Sequence, residues 1–447
     1  MLKKTMFLAL VAFMFIAAFP VWAGGGTDLK GQDIVIGAWW GPDYDVNTIK
    51  PNNATEEQVL AWRTKIQKDN GFTMRQKEIA TWSDMQSLAV TSIMTGTPAA
   101  HVFYLEPGWA MALMAQGLIY PVSDNKAVNF KNPQPAAKGA KVVPWSQAAI
   151  DSMTFGGKAY AFAEGININN CQVVFFNKRL FREAGLSPDL PYDMQKAGTW
   201  TWEAFVDVCK KLTRDTNNDG RIDTYAMAMD LSTEILDAII ASNGAQYVAK
   251  DGSGKFVNAT GRPEFIEGLQ FAIRLKNEGV MKPRPDNSNW DWYKAEFIDG
   301  RVAMRVEESY VMQELGNMRD DWGMVLFPKG PKKATYTVYS RDNMMVIPNT
   351  FKPDQVDKIM QAVALWFTPV NDDWKSGLYN TFRDTRAVDE TIVLIRDTKH
   401  TIKNYRYIRG LERGDIAWNM WFHEGNPAQL VESVSQSWNA IIADSNF

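Results

Sequence analysis

The stretch Ile34-Val35-Ile36-Gly37-Ala38-Trp39-Trp40-Gly41-Pro42 sets the frame for the chain. Five apolar residues read as a buried strand, and Gly41-Pro42 ends it, because proline fixes φ and lacks an N–H. Outward from it, Thr55-Glu56-Glu57-Gln58 reads as a capping box opening a helix that carries Val59, Trp62 and Ile66 and stops near Asn70-Gly71. Phe72 to Ala80 alternates as a strand does. Ser83-Asp84-Met85-Gln86 reads as a second capping box, with a helix to Thr95-Gly96-Thr97-Pro98, and His101 to Leu105 is a third strand ending in Glu106-Pro107-Gly108-Trp109. This βαβ alternation predicts a parallel sheet. Ligands of open α/β sheets bind beyond the carboxyl ends of the strands, where Trp39-Trp40, Trp82 and Glu106 to Trp109 all fall. Consecutive residues on an extended segment point to opposite faces. One ring of the pair, taken as Trp40, is therefore expected at the ligand and Trp39 against the neighbouring helix.

The alternation continues. Gln172 to Phe176, Gly323 to Pro328 and Asn343 to Ile347 read as strands. Lys178 to Ala184, Thr201 to Leu212, Leu231 to Ala241, Phe265 to Asn277, Phe351 to Trp366 and Gln429 to Ile442 read as helices. No fixed-period repeat or low-complexity linker interrupts them. With 447 residues the chain exceeds what one core usually serves, so two α/β lobes in contact are expected.

Net charge −3 at pH 7 argues against nucleic acid, which wants a basic excess. The 17 Trp, 14 Tyr and 23 Phe suit a protein that binds flat, amphipathic ligands. Met1-Leu2-Lys3-Lys4, the apolar run Met6 to Phe19 and Pro20-Val21-Trp22-Ala23 have the layout of a cleaved signal peptide, cut after Ala23. The apolar run is short for a membrane anchor. No cysteine stands at the cut to take a lipid. Loss of Lys3 and Lys4 moves the charge to −5. The exported chain is expected in the periplasm. Cys171 and Cys209, the only cysteines, could pair, but both lie in runs where buried free thiols are common. With three scattered histidines, His101, His400 and His423, they make a zinc site improbable.

Gly157-Lys158-Ala159-Tyr160-Ala161-Phe162, then Val174-Phe175-Phe176-Asn177-Lys178-Arg179-Leu180-Phe181 to Ala184-Gly185-Leu186, then Thr199-Trp200-Thr201-Trp202-Glu203-Ala204-Phe205 to Lys211-Leu212-Thr213 form an ordered set. Phe297-Ile298-Asp299-Gly300-Arg301-Val302-Ala303-Met304 and Trp322 to Pro331 continue it. The set resembles the extracellular solute-binding proteins of carbohydrate ABC importers, the group that includes maltose-binding protein. Ala99-Ala100-His101-Val102 departs from the family's usual "PDV". The resemblance implies an α/β, two-lobed Venus-flytrap fold, each lobe a mostly parallel sheet flanked by helices. It implies an N-terminal lobe of residues 24–168 plus about 337–382 and a C-terminal lobe of residues 169–336 plus about 383–447, with several hinge crossings. It further implies a monomer that takes a neutral sugar in the cleft and docks on membrane permease subunits, with no cofactor.

Pyranoses present an apolar C–H face and a rim of hydroxyls, which aromatic faces and polar side chains match. The candidates are Trp40, Trp82, Glu106 and Trp109 from the first lobe, and Glu164 and Asn167 in the asparagine-rich hinge stretch Ala163 to Asn170. From the second come Trp290, Glu307 and Tyr310, with Tyr339 and Arg341 before the Met344-Met345-Val346 strand. Trp62, Trp202, Trp366 and Trp438 are assigned to core by helical spacing. Asp215, Asn217, Asp219 and Asp223 copy positions of a calcium loop, yet Ala226 replaces the bidentate glutamate, and an Asx-rich turn explains them as well. Glu106 with Glu307 could be imagined as a glycosidase pair. No nucleophile elbow, zincin motif or phosphate loop accompanies them. Polyols, glycerol phosphates and peptides are the competing ligands within this fold, with Arg341 and Arg383 as the basic groups a phosphate would want.

Overall fold

Two sheets, one per lobe, organise the chain. The computed structural model describes residues 27–446 apart from 42, 166–167, 229–232, 290, 340–342, 380, 403–407, 409 and 424. The first sheet holds β1 (Asp33–Ala38), β2 (Thr73–Glu78), β3 (Val102–Leu105) and the late strand Met344–Val346. β1 lies between β2 and β3 and runs parallel to both. The late strand closes the far edge antiparallel to β3, with Met345 opposite Tyr104.

Period-2 alternation divides the two faces of this sheet. Ile34, Ile36 and Ala38 of β1, with Val102 and Tyr104 of β3, pack on helix α1 (Ala54–Asn70) and helix Pro353–Trp366. Phe103 and Leu105 face the other way, onto Met85, Ala89 and Ile93 of α2 (Trp82–Met94) and onto α3 (Pro107–Ala115). α1 starts two residues before the expected capping box. Asn53 is the cap, accepting the Glu56 N–H, and Glu56 reaches back to Asn52 and Asn53. α2 likewise begins after Thr81, whose hydroxyl bonds Asp84, rather than at Ser83.

The second lobe departs from the βαβ expectation. Its central strand Gln172–Asn177 is flanked by Met304–Glu308 and Trp322–Leu326, both antiparallel to it. All three strands are buried from end to end, a pattern that suggests parallel pairing yet here belongs to antiparallel strands. Helix Thr233–Ser242 lies on the sheet and helix Pro263–Asn277 packs on that helix, while Trp202 of helix Trp202–Leu212 stacks on Phe271 at 4.2 Å. Trp202, Trp366 and Trp438 are buried, while Trp62 is half-buried and donates to the Leu365 carbonyl. Cys171 and Cys209 are buried, and no disulfide joins them.

The chain leaves the first lobe after Phe162, which bridges to Met345, and enters the second at Gln172. Residues 338–339 pair with Thr401–Ile402 in the second lobe, so the return to the first falls between Tyr339 and Met344. Helix Pro353–Trp366 belongs to the first lobe, and the segment Ala387–Ile392 packs again on the second-lobe strand Trp322–Leu326. Among the described residues no helix is long and apolar enough to cross a membrane.

Candidate functional site

The strand exits of the first sheet open into a cavity of about 810 Å³ between the lobes. Where β1 ends, the backbone bends at Trp39 and Trp40, so both rings reach the cavity despite leaving opposite faces of the strand. They meet edge to face, with centroids 4.8 Å apart and planes at 84°. Trp40 leans on Tyr104 at 5.0 Å, and Trp39 on Trp109 of α3 at 5.3 Å. Trp109 in turn touches Trp82 at 5.4 Å. Trp39, Trp40, Trp82 and Tyr104 thus form one aromatic wall, with Trp109 bridging Trp39 and Trp82. Trp82 is 58% exposed, and its indole N–H donates to Glu106 at 3.2 Å. Trp109 stands behind this wall rather than on it.

The hinge supplies the floor. Glu164, bridged to Trp145 across the backbone, lies beside Gly165 and Pro144 on the cavity surface. It keeps contact with the water in the cleft yet is hemmed in by protein. That loss of solvation pushes its carboxyl up to about 7, against the pull of Arg63. Arg63 itself is held between the rings of Tyr44 and Trp366 at 4.4 and 4.0 Å. Asn169 and Asn170 continue the lining.

From the second lobe, residues 168–171 zip onto the start of the 3-10 helix Ser309–Asn317. Tyr310 N–H donates to the Asn169 carbonyl at 2.7 Å, and Ser309 N–H to that of Cys171. This aims Tyr310 and Gln313 at the cavity, three residues apart and so on one face of a 3-10 turn. Burial and the carboxylates around it raise the Tyr310 phenol.

Strand parity decides between the adjacent glutamates. Both are buried, but Glu308 borders the cavity, whereas Glu307 lies on the opposite face against Arg305 at 3.2 Å. Glu106 and Glu307 therefore do not share the cavity, and the acid–base pair imagined from sequence has no geometry. Tyr339 also lies away from it, fully buried and donating to the Ala245 carbonyl. Asn167, Trp290 and Arg341 lie outside the described residues. Arg383 donates to the Gly316 carbonyl.

The structure adds Trp39, Tyr104, Glu308, Gln313, Asn343 and Arg396 to the sequence candidates on the wall. The period-2 rule signalled Glu308, and the three-residue spacing from Tyr310 signalled Gln313. Nothing local marked Arg396. In the loop 215–223, the Asp215 carboxylate accepts the N–H groups of Asn218 and Gly220, and Asp223 accepts that of Thr216. Asn218 and Gly220 take positive φ, as an Asx-rich turn requires. Among the described residues no group of three His, Cys, Asp or Glu is placed to hold a metal.

This architecture has relatives. Residues 61–365 match the family described as bacterial extracellular solute-binding protein. The chain belongs to this family. No curated relative matches it in sequence. Solved structures share the two-lobe fold at low identity. The cyclic α-maltosyl-1,6-maltose binding protein of Arthrobacter globiformis aligns at TM-score 0.61 and 14% identity, over 92% of this chain and 98% of that one. A substrate-binding protein of Listeria monocytogenes in complex with cycloalternan aligns at 0.59 and 14%, over 92% and 99%. A solute-binding protein of Thermotoga lettingae bound with α-D-tagatose aligns at 0.58 and 16%, over 92% and 100%. The chain is thus an extracellular solute-binding protein.

Proposed function

We propose that this solute-binding protein captures a sugar or short oligosaccharide between its lobes and delivers it to the membrane permease of an ABC importer. The observation that carries the reading is the aromatic wall of Trp39, Trp40, Trp82 and Tyr104, faced across the cavity by Glu308, Tyr310 and Gln313 from the other lobe. Indole faces take the C–H face of a pyranose, and the carboxylates and amides take its hydroxyls. A cavity of about 810 Å³ lies within the roughly 300–1,000 Å³ usual for small-ligand sites. The sugar complexes of the Listeria and Thermotoga neighbours agree with this reading.

Ligand touching both lobes favours the closed arrangement, because only there are both sets of contacts made. The closed form then docks as a monomer on the permease, and the energy for import comes from a separate ATPase. Export follows signal-peptide cleavage after Ala23, which leaves the protein free in the periplasm.

A thermal-shift panel tests the proposal. At least one mono- or oligosaccharide is expected to raise the melting temperature, since a ligand bound only by the folded state stabilises it. A rise confined to polyols, glycerol phosphates or peptides would contradict it.

A further inference from the structure

Arg396 differs from Arg305, Arg383 and Arg386, which all have protein partners. Arg305 is engaged by Glu307 and Glu314, Arg386 by Asp193 and Glu390, and Arg383 by a backbone carbonyl. Arg396 ends the short helix Val393–Arg396 and lines the cavity. Its guanidinium rests 4.4 Å from the centroid of the Trp374 ring. Among the described residues it has no hydrogen-bond or ion-pair partner. Burial alone lowers its pKa, and no carboxylate offsets the loss of solvent. Its guanidinium donors face the cleft with no protein acceptor among the described residues, so they are available to an acceptor on a ligand. Stacking on Trp374 holds the planar fork in place, so little freedom is lost when an acceptor arrives.

Resting on the sugar reading above, we propose that Arg396 receives a carboxylate of the bound sugar, so that the ligand is an acidic saccharide: a uronic acid or an oligosaccharide containing one. A carboxylate matches the fork in shape and can be held by two parallel hydrogen bonds. It also matches in charge. A phosphate brings between one and two negative charges, and this cavity already holds Glu106, Glu164 and Glu308. Among the described lining residues Arg396 is the one cation, which one carboxylate balances. The aromatic wall of the first lobe takes the ring faces while Arg396 in the second fixes the acid, so the ligand is oriented across the cleft.

Calorimetric titration of the mature chain tests this with glucuronic and galacturonic acids, digalacturonic acid, their neutral counterparts glucose, galactose and galactobiose, and glucose 6-phosphate. An acid is expected to bind at least about tenfold more tightly than its neutral counterpart, the size of one charge-assisted hydrogen bond. Arg396→Gln is expected to erase that difference, and Arg396→Lys to retain part of it. The wild-type comparison decides the matter even where a variant folds poorly. Equal binding of acid and neutral sugar overturns the carboxylate proposal and leaves the sugar reading standing. Preference for glucose 6-phosphate overturns it too. Failure of all saccharides, with a polyol or peptide binding instead, overturns both.

Discussion

Glu307 and Glu308 are neighbours in sequence with opposite fates. On an extended strand one residue's shift changes the face, so Glu307 meets Arg305 in the buried interior and Glu308 meets the cavity. Glu307→Gln leaves the Arg305 charge buried with less compensation and is expected to cost about 3 kcal/mol of folding stability in denaturant titration. Glu308→Gln is expected to keep the fold and to weaken sugar binding about tenfold by calorimetry. An inverted pattern would reverse the assignment. Glu164 makes a separate prediction. Its carboxyl titrates near 7 in the folded chain and lower when unfolded, so between those values the native state binds more protons. The contribution of this group to stability is therefore greatest in acid and is lost as pH rises toward and through 7. Melting temperatures of the wild type and Glu164→Gln, compared at pH 5 and pH 8, should show a smaller change with pH in the variant. The same change in both would remove Glu164 as the cause.

Elements were legible where local rules govern. The alternation that runs from Ile34 to Leu105 signalled β1, β2 and β3 and the helices between them, and the apolar periodicity of Phe265 to Asn277 matched a helix nearly end to end. Caps were less legible. Asn53 competes with Thr55 for the same helix start, and the choice depends on Glu56 folding back rather than on motif spacing. Pairing direction in the second sheet was not legible, because burial on both faces suggests a parallel sheet while these strands pair antiparallel. Gly323 shows how tightly that sheet is built. A Cβ there would come within 2.2 Å of the Phe176 ring opposite. Gly323→Ala is expected to destabilise by about 1–3 kcal/mol through overpacking. A neutral result in chemical denaturation would mean that Phe176 has room to turn.

At the scale of the whole molecule, the ordered family motifs disclosed the two lobes, while the site depends on contacts between distant segments. Trp40, Trp82 and Glu106 announced themselves by standing at strand exits. Tyr104 and Arg396 did not: one sits inside a strand, and the other ends a short late helix with its guanidinium over Trp374. Tyr339 misled because its position before a cleft strand looks exposed in sequence, while tertiary packing buries it. The central claim is that a saccharide bound between the lobes lies against the aromatic wall. Calorimetric titration of the mature wild type and Trp40→Ala with a saccharide panel tests it most directly. The account predicts saturable one-to-one binding of a saccharide by the wild type, weakened at least about tenfold in the variant, whose melting temperature without ligand stays close to that of the wild type. Binding of equal strength to both proteins, or no saccharide bound by either, would contradict it.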